Sequence, residues 1–554
     1  MNYYLDRNIE YERETDENIK YFTSNYTNQN TKNLTVLTLD SDEQKKIINN
    51  SFEKIGSFYN ENLPYFKIFE NRVGVNIWFL THFRTYFQYK NFLLNLACIK
   101  NQLKSSPETI VITADRKLFN YIDKDSIKLV AAKVNVTDKK FLVKESWQIL
   151  TQFKPNLRFN TEHILIGQPG QINFRFGELA SKFDLIYNRN QFDSKKKLVD
   201  KKEYKKRINV DNIVGNYFFS FKWIKEMKEF VKANKQIQKD LIEYSTSEDS
   251  RLICSFLFNQ KSSIYFFLIR YFSFKHFFKK QSLKSILLID ENSPQQKVIQ
   301  YAAKQAKLRV FAVQHGMIYT LHPAYMYGHY KESPLLPDTT FTWGEYYTNL
   351  LLTSGGYSSN QVLTTGRIPE NNGQRISSQL LNTDQELIVY ATQPQPDINL
   401  RKKELLTVLS VIQKMGDRYR LVLRPHPSEK DDAYFYKIGD TISFSNFYID
   451  RTSDLVTHFE KCSLLITSYS TVGAEFVAFN KPLVILDLLK QDKVNYIKEG
   501  VGIPIYSEED LLHVLQQKNI KINKEAYLSF INNYFFCNGN KAIELILDKI
   551  EGND

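Results

Sequence analysis

The chain has 554 residues, 42% hydrophobic and 24% charged, with 34 Tyr, 40 Phe and a net charge of +13. At roughly 150 residues per domain this is two to four domains with sizeable cores, which excludes a wholly disordered chain. The charge suits an anionic partner, whether membrane surface, nucleic acid or phosphorylated substrate. No nucleic-acid module is recognisable, so no nucleic-acid partner is expected. Cys98, Cys254, Cys462 and Cys537 are widely spaced with no CxxC, which argues against a zinc knuckle or disulfide scaffold and for a reducing compartment. The start, MNYYLDRNIEYERETDEN, lacks the apolar core of a secretory signal, and no run of 18 apolar residues offers a membrane span. The expected location is the cytoplasm, with the inner face of the cytoplasmic membrane as the nearest surface.

In chain order, LTVLTL (34–39) and TIVITAD (109–115) read as strands, and 75–103 has the length and periodicity of a helix. KKKLVDKKEYKKR (195–207) is a solvated basic run or a contact for a phosphorylated acceptor or lipid. IYFFLIRYFSFKHFFKK (264–280) is aromatic but broken by Arg270 and Lys275. It reads as a core helix or as one lying on an anionic membrane surface. From 285 the pattern turns regular: strand SILLID (285–290), a helix over 294–307 with proline in its first turn, then strand LRVFAVQ (308–314). Residues 338–368 read strand, helix, strand, and 369–386 reads as a linker. Strands follow at 387–393, 419–425, 463–467 and 482–486, with helices at 400–415 and 470–479.

The expected class is therefore α/β, with two Rossmann-like domains facing a central cleft and an N-terminal extension or insertions. The first domain spans 1–370, with a helical, aromatic-rich insertion at about 195–280. The nucleotide-donor domain spans 371–535, and a C-terminal helix occupies 536–554. Polar groups at the carboxyl ends of such strands are the candidate site.

Three clusters stand there. In Gln314-His315-Gly316 the glycine admits a close ligand and the histidine donates to phosphate or shuttles a proton. The neighbouring His322 and His329 do not have zinc spacing. In LRPHPSE (423–429) two prolines hold His426 in an extended loop beside the charge of Arg424. In ITSYSTVGAEF (466–476), Ser468, Ser470 and Thr471 meet a helix N-terminus, an anion-binding arrangement. Gly473 permits close approach there, and Glu475, one turn after Thr471, is placed to accept from ribose hydroxyls. A fourth element is the strand-end carboxylate pair Asp290-Glu291.

In this order the four motifs resemble the GT-B nucleotide-sugar transferases of bacterial surface polysaccharide synthesis. That group includes sialyl- and polysialyltransferases, capsule Kdo transferases and CDP-glycerol glycerophosphotransferases. The similarity covers about 285–535. It implies an acidic general base at Asp290 or Glu291, although Asn292 stands where a glycine is usual. It implies donor-phosphate contacts from His426, Ser468, Ser470 and Thr471, and a functional histidine at His315.

The expectation is an inverting, metal-independent glycosyltransferase with no cofactor, the nucleotide-sugar being a substrate. A CMP-linked acidic sugar such as sialic acid or Kdo is the favoured donor, and a glycan or lipid-linked molecule the acceptor. The expected catalytic residues are Asp290, Glu291, His315 and His426. The expected donor-binding residues are Gln314, Gly316, Arg424, Ser468, Ser470, Thr471 and Glu475. A CDP-glycerol-type glycerophosphotransferase, a nucleotide-sugar 2-epimerase and a non-catalytic glycan-binding protein are the alternatives.

Overall fold

A computed structural model describes residues 3–5, 19–21, 39, 41–107, 110–113, 117–129, 153–154, 157–169, 172, 176–188, 206–368, 385–394, 398–426, 429, 431–451, 455–535 and 539–552. Residues 34–38, the basic run before Lys206 and the 369–384 stretch lie outside the described residues. The chain divides into two compact units. One comprises Met1–Ile47, Asn91–Val134 and Asn372–Ile531, the other Ile48–Lys90, Asn135–Asn371 and Asn532–Asp554.

Among the described residues three sheets form, all with parallel pairing. Strands β1 (Tyr3–Leu5), β2 (Ile19–Tyr21), β3 (Ile110–Thr113) and β4 (Ile127–Leu129) make a small sheet of order β2-β1-β3-β4. The second unit holds seven strands: β5 (His163–Gly167), β6 (Asp184–Tyr187), β7 (Arg207–Asn209), β8 (Ser285–Ile289), β9 (Arg309–Val313), β10 (Thr339–Thr342) and β11 (Val362–Thr364). Their order is β11-β10-β9-β8-β5-β6-β7. The first unit also holds β12 (Glu386–Ala391), β13 (Tyr419–Arg424), β14 (Phe447–Ile449), β15 (Leu464–Thr467), β16 (Leu483–Leu486) and β17 (Gly502–Ile505), ordered β14-β13-β12-β15-β16-β17. Counting within each large sheet, the first six strands lie 3-2-1-4-5-6, the doubly wound order. The α/β class read from the sequence is the one observed.

The central strands are near-continuous apolar runs because both faces are covered. β8 is buried at all five positions, and β15 and β16 at all four. On the seven-stranded sheet one core takes Leu165, Leu185, Leu287 and Phe311 from the strands and Ile543, Ile546 and Ile550 from the C-terminal helix Asn540–Glu551. The six-stranded sheet packs Ile388, Leu421 and Ile466 against Leu405, Val408 and Leu409 of the helix Ile398–Lys414.

All but the last two residues of the aromatic segment 264–280 fall in the helix Lys261–Phe278. Phe267, Leu268, Tyr271, Phe272, Phe274, Phe277 and Phe278 on it are buried. The helix packs on Pro294–Gln305 and Val210–Phe219, so it is a core helix and its apolar face is not offered to a membrane. Among the described residues no single helix is long and apolar enough to cross a membrane. One bent pair, Glu248–Phe258 with Ser263–Phe278, passes by length and composition, with a 59° bend at the junction.

Gly344, which begins the helix Glu345–Ser354, shows how tightly the chain's return to this unit is seated. A Cβ there would stand 2.3 Å from the Asn533 carbonyl oxygen and 2.4 Å from the Tyr534 carbonyl carbon, both backbone atoms with no room to yield. Gly344→Ala is expected to cost about 1–3 kcal/mol by overpacking, read as a lowered Tm in a thermal scan.

Candidate functional site

Each large sheet reverses its strand order between two neighbours, β5 beside β8 in one and β12 beside β15 in the other. Connections leave such a point in opposite directions and open a crevice at the carboxyl ends of the strands. The polar clusters read from the sequence lie at these ends.

In the seven-stranded unit, β8 runs into Asp290, whose φ of +68° places a non-glycine residue in the left-handed region. This is local strain of a kind that concentrates at functional sites, eased here because aspartate tolerates the region. The Ser293 N–H and hydroxyl both donate to the Asp290 carbonyl, and the Ser293 hydroxyl also caps the helix Pro294–Gln305. The Asp290 carboxylate lies 3.5 Å from His315 Nε2 at the end of β9, an ion-pair distance rather than a hydrogen bond. Burial, then the neighbouring Glu291 charge, pushes the Asp290 carboxyl up to about 8.

The carboxylate pair divides in role. The Asp290 side chain is 22% exposed, whereas Glu291 is fully buried. Glu291 faces an interior network: the Asn292 amide donates to it at 3.2 Å, and the buried Lys297 ammonium and the Tyr327 hydroxyl each donate to Asn292 Oδ1 at 3.1 Å. Burial raises Glu291 and lowers Lys297, while their mutual attraction works against both shifts. The expectation that Glu291 reaches substrate is corrected by this burial.

Gln314 is buried too. Its amide donates to the Gly316 carbonyl at 2.8 Å and accepts from the Trp343 N–H at 2.9 Å, so it braces the loop rather than meeting a donor. Gly316 differs: a Cβ there would meet nothing within 4 Å. Packing does not require a glycine at that position. The half-buried His322 ring lies against those of Tyr319 and Tyr325. No group of three His, Cys, Asp or Glu residues is placed to hold a metal ion among the described residues.

In the six-stranded unit His426 follows β13. Its backbone N–H donates to Glu429 Oε2 at 3.0 Å, and the Glu429 N–H returns to the His426 carbonyl at 2.8 Å, closing a turn. The Thr392 hydroxyl after β12 donates to the same carboxylate. Arg401 pairs with Glu429 Oε1 at 2.7 Å, with side chains only 7% and 1% exposed. This buried ion pair holds the loop, since removing one partner would strand the other charge at a cost of about 3–5 kcal/mol. Burial lowers the half-buried His426 from its ordinary value, with the Glu429 charge pulling the other way. The lowering favours the neutral imidazole at neutral pH.

Arg424 was expected beside a donor phosphate. Its guanidinium instead meets Asp450, at 3.1 Å from the carbonyl and 3.6 Å from the carboxylate, and straps β13 to the end of β14. The three hydroxyls also separate. Ser468 donates to the buried Glu404 at 3.0 Å and has no proton left for a ligand. Ser470 accepts from the Val472 N–H at 3.2 Å as the cap of the helix Thr471–Val477, and no acceptor for its own proton stands among the described residues. The Ala474 N–H donates to Tyr496 Oη, and Tyr496 donates to the Ser470 carbonyl, so part of this helix end is satisfied internally. Thr471 and Glu475 are both partly buried on that helix.

Several residues at this end were not read from the sequence. Lys493 lies 4.5 Å from the Tyr469 ring centroid, its ammonium lowered by burial and held up by Glu404 and Asp487. With Glu404, Ser468, Tyr469 and Asp487 it lines a narrow crevice of about 20 Å3. Thr392 and Gln393, in the TQPQ that follows β12, and Gln168, in the GQPG that follows β5, carry a recognisable signal of an apolar run breaking into polar and Gly/Pro residues. Arg401 and Glu404 announce themselves only as charges falling on the apolar face of a helix.

Residues 347–552 match the family model of CDP-glycerol:poly(glycerophosphate) glycerophosphotransferases. The match contains His426, Ser470, Thr471 and Lys493 and begins after Asp290 and His315. The teichoic acid glycerol-phosphate primase of Bacillus subtilis (strain 168) is 28% identical over 188 residues, 31% of this chain and 47% of the relative. The chain thus spans about half the length of that curated relative. Among solved structures, the wall teichoic acid polymerase TagF is 16% identical, covering 76% of this chain and 98% of that one with a TM-score of 0.40. A UDP-GlcNAc 2-epimerase from Neisseria meningitidis bound to UDP-GlcNAc is 11% identical, covering 70% and 99%, with a TM-score of 0.45.

The raised Asp290 carboxyl has a sign for stability. The folded state holds this proton up to about pH 8, whereas the unfolded chain loses it near the ordinary value of 3.8. Stability from this group is therefore lost as pH rises through that window. In denaturant titrations Asp290→Asn is expected to gain stability over wild type at pH 8.5 and to match it near pH 4.

Proposed function

We propose that this chain transfers glycerol phosphate from a CDP-glycerol donor to a hydroxyl of a growing surface polymer, releasing CMP. The observation that carries the reading is the family match over 347–552, the segment that contains His426, Ser470 and Lys493. The CMP-linked acidic sugar favoured from the sequence has no counterpart in that match, so the CDP-glycerol alternative takes its place.

In this reading the Asp290–His315 pair serves the acceptor. The acceptor oxygen attacks the phosphorus that bears glycerol, and a new O–P bond forms as its proton passes to the pair. The raised Asp290 makes the pair a better proton holder near neutral pH than an ordinary carboxylate, and the two titrate as a unit. The bond from that phosphorus to the oxygen bridging it to CMP breaks, and CMP leaves with the electron pair. The neutral His426 N–H and the Ser470 O–H donate to the phosphate oxygens as charge develops, and Lys493 adds a partly desolvated cation. Glu475 remains the proposed partner for ribose hydroxyls. Direct donation by protein groups makes the proposed chemistry metal-independent.

The test follows labelled glycerol from CDP-glycerol into a glycerol-phosphate-primed acceptor, together with CMP release. Asp290→Asn and His315→Ala should each lower kcat by roughly 10²–10⁴-fold with little change in donor KM, the loss typical of a general base. Glu291→Gln, being interior, should act mainly through stability. Release of CMP from a CMP-linked acidic sugar but not from CDP-glycerol would sink the proposal, and absence of turnover with either donor would favour a binding protein.

A further inference from the structure

A second basic cavity lies in the seven-stranded unit, apart from the strand ends described above. It measures about 470 Å3 and is walled by the helix Val210–Phe219, the end of the helix Lys261–Phe278 and the Leu157–Arg158 segment. Arg158, Lys222 and Lys280 line it, all exposed, and none meets a carboxylate within 4 Å among the described residues. Among the described residues that line it none is Asp or Glu, and Glu226, beside the lining His276 and Tyr217, pairs with His276 at 3.2 Å and accepts from the Tyr217 hydroxyl. A concave surface with several cations and no carboxylate in its lining is suited to phosphate.

The rim of the same cavity is apolar. Ser220 and Lys222 line it, and the turn that carries them projects Phe219 (50% exposed), Phe221 (70%) and Ile224 (52%) into solvent. Phe153 (49%) joins them, its ring 4.8 Å from that of Phe219. The next residue, Lys154, is fixed to the cavity wall through both its backbone N–H and its carbonyl, which bond the Asn216 side chain. Phe221 has a φ of +57°, an uncommon conformation for a bulky residue and one that keeps the ring outward. Four large apolar side chains with lysines between them are costly to leave in water and are poorly suited to a soluble anion alone. They suit a surface that is apolar within and anionic at its edge.

We propose that this face docks on an anionic phospholipid bilayer, with Phe219, Phe221, Ile224 and Phe153 entering the headgroup layer and the Arg158–Lys222–Lys280 cavity receiving a lipid phosphate. Charge complementarity selects the occupant, because Arg158, Lys222 and Lys280 adjoin the apolar centre and none of them meets a carboxylate within 4 Å among the described residues. The proposal is independent of the donor reading and needs no turnover to be tested.

The experiment is co-sedimentation of the full chain with phosphatidylcholine vesicles and with vesicles that also contain phosphatidylglycerol. Wild type should sediment with the anionic vesicles, less so at high salt, and little with the neutral ones. Lys222→Glu and Lys280→Glu should each weaken partitioning at least roughly fivefold, the equivalent of about 1 kcal/mol per basic residue at such a surface. Phe221→Ser should weaken it roughly tenfold or more while leaving charge unchanged. All three side chains are exposed, so unchanged thermal melts will separate docking from folding. Equal sedimentation with both vesicle types, or variants that sediment like wild type, overturns the proposal. So does calorimetric binding of inorganic phosphate without anionic-vesicle binding, which would assign the cavity to a soluble anion.

Discussion

A parallel sheet covered on both faces leaves its strands few places for polar groups except their ends. The seven- and six-stranded sheets are of this kind, with β8, β15 and β16 buried throughout. The doubly wound order then singles out one position along each sheet, the point where the connections diverge. Asp290 follows β8 and Ser468–Thr471 follow β15, so this constraint places these polar groups at the strand ends before any ligand is considered.

What the strand ends present is set by the groups behind them. His426 is held by a carboxylate that is neutralised in turn by Arg401 and bound by Thr392. Asp290 stands over Glu291, Asn292 and Lys297, whose charges nearly compensate one another in the interior. In both places one partly exposed group is presented and its buried neighbours orient it or shift its proton affinity. A substitution at Arg401 or Lys297 would therefore alter the exposed group without touching a ligand.

The regular α/β half was legible because an apolar run, a capped helix and another apolar run recur from residue 285 onward, each strand closing on polar residues. The N-terminal third was harder because β1, β2 and β4 have only three residues each and their sheet joins segments far apart in the chain. Motif reading singled out Asp290, His315, His426 and Ser470, which follow strands in the structure, but did not show which way neighbouring side chains turn. Ser468 serves Glu404, Arg424 serves Asp450 and Gln314 braces Trp343, and each of these depends on contacts distant in sequence. The segment 264–280 carried two meanings for a similar reason. An aromatic helix reads alike in a core and at a membrane, and only the helices packed around it decide.

The most direct test of the account is hydrogen exchange with and without CDP-glycerol on the intact chain. If the carboxyl ends at the two switch points bind the donor, added ligand will slow exchange at 290–293, 314–316, 392–394, 424–429 and 468–473. Amides at the opposite ends of the same strands will be unchanged. Slowing confined to those opposite ends, or to neither, would contradict it.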